Sequence, residues 1–424
     1  MTHQQSSFRP VWLQAIARLL YLMGYTTLQF YLPLVFVNQL GLAATTVGLA
    51  LAVGSLAGVV GHLLGGYLAD SPQYGRKRAL LFSAILIMLA ATLLLVSQSF
   101  LALVFANILM GLSAGCYWTA ADAAVVDATG TEQRQMAFAL LVLADSLGTG
   151  IGIWGGGILL DQHQHAPTLF GASLVPLLLF WGLTQSAMAE TVQGHPEAQQ
   201  TLKGFAIALR DRSLLLFITV NILFTTYLAL VNSTLPLYLS RLVPTAVSPA
   251  VTSLSLSNIS TLFTWGYIGL GVVLQIPIVR LLNRLLKTRA LMLSILLWGV
   301  GFVLVWATPV NEFMQPVVVI ALAVLSIAGG IYKPFAPAMV AEFAPASRRG
   351  IYLAMSYQCW SIGYFIGPLL GGWAIDQSGA TAHNIWLGAA ASTIPGVIGL
   401  GILSRWAIAL PEATSLAAEP MVSE

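Results

Sequence analysis

Residues 75–97 read GRKRALLFSAILIMLAATLLLVS, and this stretch decides what kind of molecule the chain is. Arg76, Lys77 and Arg78 stand together, and from Ala79 to Ser97 no charged residue follows. A helix that crosses a bilayer needs about 20 mostly apolar residues. Basic residues collect at the cytoplasmic flank of such a helix. The stretch therefore reads as one membrane span with its start on the cytoplasmic side.

Working outward with the same window gives twelve spans: 11–38, 45–69, 79–97, 101–126, 135–160, 167–189, 214–240, 255–282, 290–308, 314–341, 349–375 and 384–409. Composition agrees. Hydrophobic residues make up 58% of the 424 and charged residues 8%, against about half and about a quarter in a soluble domain. So few charges argue against a soluble enzyme, a nucleic-acid binder or a disordered chain. The two cysteines, Cys116 and Cys359, lie in apolar runs and make no disulfide framework or zinc spacing. His163 and His165 read as loop polarity, because no Cys or carboxylate set completes a metal site. No metal or cofactor is expected. The first span is expected to be retained, since no small-residue cleavage site follows a short apolar core.

Orientation follows from Lys and Arg. With the N-terminus in the cytoplasm, sixteen of the 18 basic residues fall on that face: Arg9, Arg18, Arg76, Lys77, Arg78, Arg134, Lys203, Arg210, Arg212, Arg280, Arg284, Lys287, Arg289, Arg348, Arg349 and Arg405. Arg241 falls outside and Lys333 in mid-span. Both termini are expected to be cytoplasmic. The longest polar loop, 190–212, divides the chain into a bundle over 1–189 and a second over 213–424. Its end, Leu202 to Arg212, reads as an amphipathic piece.

The halves repeat. At an offset of 215, Gly115 falls on Gly330, Tyr117 on Tyr332, Asp127 on Glu342, Arg134 on Arg349, Gly148 on Gly363, Gly152 on Gly367, Gly156-Gly157 on Gly371-Gly372 and Asp161 on Asp376. Acid, base and paired glycines at one offset are hard to meet by chance. The expected fold is an all-α membrane protein of twelve transmembrane helices in two pseudo-symmetric six-helix bundles. Repeated halves place a solute site at the midplane between them, and rocking about it gives alternating access.

The loop after the second span reads Gly66-Tyr67-Leu68-Ala69-Asp70, then Ser71-Pro72-Gln73-Tyr74, then Gly75-Arg76-Lys77-Arg78. It resembles the Gly-x-x-x-Asp-Arg-x-Gly-Arg-Lys signature of the major facilitator superfamily, with Ser71 in place of the first base and a longer gap before Gly75. The likeness covers essentially the whole chain. Span five carries Gly148, Gly152 and Gly155-Gly156-Gly157, similar to the glycine-rich fifth-helix motif of the drug–proton antiporter branch. Ile153 stands where that motif has proline, and Asn107 where the branch's fourth helix has an arginine.

The resemblance implies a cytoplasmic latch at Asp70, Arg76 and Lys77, with Asp127, Arg134, Glu342 and Arg349 as matching acid–base pairs. A carboxylate such as Asp70 can sit at the positive N-terminal end of another helix. The resemblance also implies that spans one, four, seven and ten line a central cavity. Polar residues at helical spacing agree with that role: Arg18, Tyr21, Tyr25 and Gln29; Asn107, Gly111, Gly115, Trp118 and Asp122; Asn221, Thr225 and Asn232; Ser326, Gly330 and Lys333.

Ionisable residues deep in a span are functional candidates, because each is costly to bury. Lys333 lies nine residues from Glu342, about 13 Å at about 1.5 Å per residue. Asp145 is eleven residues from Arg134, and Asp122 is one turn from Trp118. Asp145 or Asp122 is the candidate proton carrier, with Lys333 as its partner or as an anion anchor. His62 beside Gly61 reads more simply as a group bonded to backbone. Tyr25, Gln29, Asn107, Trp118, Asn232 and Tyr332 are the candidate cavity residues.

No Gly-x-x-x-x-Gly-Lys-Ser/Thr motif is present, so ATP is not expected to drive the chain. No convergent nucleophile–base set suggests an enzyme. The expected function is a secondary active transporter working by alternating access, with proton-coupled efflux of small amphipathic compounds. The alternative is an uptake or exchange carrier for an anionic organic solute, with Lys333 as counter-ion. The expected partners are a small molecule, protons and the lipid bilayer, with no nucleic acid. A multi-pass monomer of the plasma membrane (the cell inner membrane) is expected.

Overall fold

The computed structural model describes residues 9–71, 73–129, 134–163, 165–188, 190, 208–242, 256–282, 284–308, 313–344 and 349–416. In lipid every backbone N–H and C=O must be satisfied within the chain, so long apolar runs become helices. Among the described residues eleven helices are long and apolar enough to cross a membrane. They are α1 (Pro10–Gln39), α2 (Ala44–Ala69), α3 (Gly75–Val96), α4 (Phe100–Ala128), α5 (Met136–Gln162), α6 (Ala166–Ala187), α7 (Arg212–Arg241), α8 (Ser257–Leu282), α9 (Lys287–Trp306), α10 (Met314–Glu342) and α12 (Gly379–Trp406). Between the last two lies α11 (Arg349–Asp376), 28 residues long, over the remaining expected span.

Two boundaries move for local reasons. The third helix starts at Gly75 rather than Ala79, so its first turn contains the three bases. Gly75 takes φ +77°, a turn open to glycine; at this helix end Arg76 is buried against a carboxylate, while Lys77 is half-buried and Arg78 exposed. The last helix starts at Gly379 rather than 384, because Ser378 caps it by accepting from the Thr381 N–H. Residues 191–207 of the polar loop, with most of its amphipathic piece, lie outside the described residues.

The packing repeats under a shift of six helices. In the first half α1 packs on α5 and α6, α2 on α4, and α3 on α4 and α6; in the second α7 packs on α11 and α12, α8 on α10, and α9 on α10 and α12. The seams between halves repeat too, α2 against α11 and α5 against α8. Small residues permit these approaches. A side chain at Gly111 would run into the backbone of Gly54, and one at Gly48 or Gly372 into the backbone of Pro368 or Ala44 across the α2–α11 seam.

Single turns of π-helix interrupt α1 at Val35–Gln39, α7 at Leu230–Thr234 and α8 at Phe263–Gly269. The first two flank Pro33 and Pro236. Proline lacks an N–H for the helical ladder, so the register shifts nearby, and Leu40 and Leu235 donate five residues back, to Val35 and Leu230.

Candidate functional site: a charged cluster facing a lone lysine

Arg18 lies on α1, two turns inside the helix, and is only 7% exposed. A guanidinium has a planar fork of donors and can serve two carboxylates at once. Its Nε donates to Asp145 Oδ1 of α5 at 2.5 Å, and its Nη1 to Asp122 Oδ1 of α4 at 2.8 Å. Its central carbon stands 4.5 Å from the ring centre of Trp118, one turn along α4 from Asp122. The aromatic face adds to the attraction on a cation. One cation against two carboxylates leaves a formal charge of −1.

The cluster rests on an aromatic stack. Tyr21 lies on Tyr117 with centroids 3.6 Å apart and on Tyr25 at 5.8 Å. The Tyr21 hydroxyl pairs with Ser113 Oγ at 3.0 Å. Asp145 is mostly covered, with 21% of its side chain exposed, whereas Asp122 shows 50% to the space between the halves.

Lys333 projects from α10 in the other half. Its side chain is exposed, and it lines a cavity of about 100 Å³ with Tyr332, Ser356, Tyr357 and Trp360. Among the described residues no carboxylate comes within ion-pair distance of it. It lies near enough to Asp145 to feel its charge, as Tyr357 lies near Asp122 and Tyr25 near Tyr364. The two sets of groups therefore face one another across the interior of the molecule.

The structure divides the other candidates. Tyr25, Gln29 and Trp118 are half-buried on the inner stripes of α1 and α4. Asn232 donates to Leu228 O and to the Tyr364 hydroxyl at 3.1 Å. Tyr332 is buried, and its hydroxyl donates to Asn221 Oδ1 at 2.7 Å. Asn107 is buried, donates to Leu103 O and packs on Gly54, so it belongs to the α2–α4 contact. His62 is half-buried on α2, near enough to Asp122 to feel its charge.

At the end bearing the basic loops, Arg76 Nε reaches Asp127 Oδ2 at 3.2 Å, and both side chains are nearly covered. Lys77 donates its N–H to Glu190 and its Nζ to Gln185 O at 2.7 Å. Glu342 pairs with Lys287 at 3.0 Å. The side chains of Asp70, Arg134 and Arg349 lie outside the described residues. At the opposite end Asp376 accepts from the N–H groups of Ala44 (2.8 Å) and Thr45 (2.6 Å) and from the Thr45 hydroxyl (2.7 Å), which caps α2 from the other half. Asn38 and Ser240 join there at 2.8 Å.

Arg18 is the residue that the charge tally misassigned. Counted with the loop cations, it instead neutralises mid-helix acids. The helical step from Arg18 to Tyr21, Tyr25 and Gln29 already placed it on the wet face, and that was the usable signal. Lys287 and Glu190, the partners at the basic end, left no signal in spacing.

Comparison with known proteins adds independent findings. The profile described as Major Facilitator Superfamily matches residues 15–253 and 242–422. The chain is similar to the Na(+), Li(+), K(+)/H(+) antiporter of Planococcus maritimus, 24% identical over 80% of this chain and 83% of that protein. It is also similar to the multidrug resistance protein MdtH of Aeromonas hydrophila subsp. hydrophila, 27% identical over 89% of this chain and 90% of that protein. The fold resembles the nucleoside transporter NupG (TM-score 0.79, 14% identity, 95% of this chain and 100% of that one). It likewise resembles the peptide transporter POT in complex with sulfate (TM-score 0.77, 15% identity, 94% of each chain).

Proposed function

The chain belongs to the Major Facilitator Superfamily, and from that premise we propose that it exports small amphipathic compounds in exchange for protons. It is a membrane transporter, not an enzyme. The observation that carries the proposal is the cluster of Asp122, Arg18 and Asp145 beside the interior space. Exchange requires that proton and solute compete for one group. Asp122 is half exposed and bound by a single guanidinium nitrogen, so it can take a proton from water or meet a cationic solute. Asp145 is more enclosed and holds Arg18 in place while Asp122 changes partner. The names of the relatives, a multidrug resistance protein and a cation/proton antiporter, support this reading.

Alternating access is supported by the repeated packing and by where the halves are joined. The contacts of Asp376, Asn38 and Ser240 hold them together at the end away from the basic loops. With the basic loops in the cytoplasm, this is a form closed to the outside, in a multi-pass plasma-membrane protein with both termini cytoplasmic. A working monomer is part of this proposal. Arg76 with Asp127 is proposed as part of a cytoplasmic latch, together with Asp70, Lys77, Arg134, Glu342 and Arg349.

The test uses purified protein in liposomes with an internal pH dye and a panel of lipophilic cations and organic anions. Cation-driven proton movement, absent in Asp122→Asn or Asp145→Asn, is expected. A second reading rests on Lys333, which meets no carboxylate among the described residues. If no proton moves and an anion enters only when Lys333 is intact, the chain is an anion carrier and the exchange proposal fails.

A further inference from the structure

The charges around the interior are unequally shared between the halves. The first half contributes Arg18, Asp122 and Asp145, a formal −1; the second contributes Lys333, a formal +1. The four sum to zero, but they are segregated across the space that a solute must enter. A solute with one positive charge satisfies Asp122 and leaves Lys333 uncompensated as water is displaced. A solute with one negative charge does the reverse. An unpaired charge that loses its water costs far more than a paired one.

We infer that the preferred solute is a zwitterion with a flat apolar body, its cationic end at Asp122 and its anionic end at Lys333. This deepens the proposed exchange function and rests on it. Each end has aromatic surface beside its charge: Trp118 beside Asp122, already stacked on Arg18, and Tyr357 and Trp360 beside Lys333. Tyr357 is 57% exposed, so its face is free to receive a ring, and Trp360, half-buried and stacked on Tyr364, extends the aromatic wall. A rigid ring between the two charges keeps them apart, as the halves keep Asp122 and Lys333 apart. Such a solute also joins the two halves, so its binding bears on the movement between them.

The test compares three molecules of one shape by calorimetry on the purified full-length protein. They are 4-methylbenzylamine (cation), 4-methylphenylacetate (anion) and 4-(aminomethyl)phenylacetate (zwitterion). The zwitterion is expected to bind at least about tenfold more tightly than either relative, a gap of about 1.4 kcal/mol. Lys333→Met is expected to bring it down to the affinity of the cation while the cation's own affinity holds. Asp122→Asn is expected to bring it down to that of the anion, with thermal unfolding measured to show that the variant is folded. Lys333→Met, altering an exposed side chain, keeps the test decisive if Asp122→Asn does not fold. A zwitterion that binds no better than the cation overturns the inference, as does failure of all three to bind. In the first case proton release on cation binding leaves the exchange reading standing, and in the second the liposome assay with lipophilic cations decides it. Absence of proton release with every ligand that binds defeats that reading instead.

Discussion

Arg18 has two carboxylates to itself, and its removal would leave both facing each other with no cation between them. Breaking a buried pair from one side costs on the order of 3 kcal/mol or more. Arg18→Leu is therefore expected to lower the unfolding temperature in detergent and to abolish proton exchange. Arg18→Lys is expected to fall between, since one ammonium point charge cannot present a planar fork to acids on two helices. Equal stability of Arg18→Leu and the native protein would show that the cluster does not hold α1, α4 and α5 together. Removing one acid is milder: Asp122→Asn keeps Arg18 paired with Asp145 at 2.5 Å.

Helices here are fixed by what their neighbours leave room for. At Gly111 a methyl group has no space against Gly54, whereas at Gly155 nothing lies within 4 Å. Gly111→Ala is expected to cost about 1–3 kcal/mol by forcing α2 and α4 apart, and Gly155→Ala to cost nothing measurable. Thermal unfolding of the two variants side by side checks the contrast. The cap of Asp376 on α2 acts between halves. A carboxylate at a helix N-terminus contributes up to about 2 kcal/mol, and its acceptors here serve two N–H groups and a hydroxyl. Asp376→Ala is expected to shift spin labels at Leu40 and Gln377, both exposed at that end, toward longer separations. An unchanged distance distribution would mean that the glycine contacts along α2 and α11 close this end unaided.

For the whole molecule, the consequence is that one end must open for a solute to pass. Asn38 and Ser240 touch across the halves at that end, Asn38 exposed and Ser240 half-buried. Asn38→Cys with Ser240→Cys is expected to form a disulfide on oxidation, to stop solute-driven proton movement, and to recover when reduced. The native cysteines are buried and should not interfere. Transport that continues in the oxidised protein would rule out movement of this seam. The six-helix shift that relates the packing of the two halves argues that the α5–α8 seam moves with the α2–α11 seam.

The spans, the two halves and their pseudo-symmetry were all legible in the order of residues. Bilayer thickness sets helix length, and repeated glycines and charges at one offset mark equivalent places. The twelve expected spans meet their helices within a few residues, because lipid allows apolar backbone little besides helix. The same order also put Arg18, Tyr25, Trp118 and Asp122 on wet stripes, since polar residues cannot recur at helical spacing on a lipid face without cost. Who meets whom came from the packing of the helices alone. Arg18, not Lys333, holds the two acids; Asn107 spends its amide within a helix contact; Asp376 caps a helix more than 300 residues away. Partners in different helices are set by the rotation and depth of each helix against its neighbours, and no spacing along a single chain encodes those two quantities.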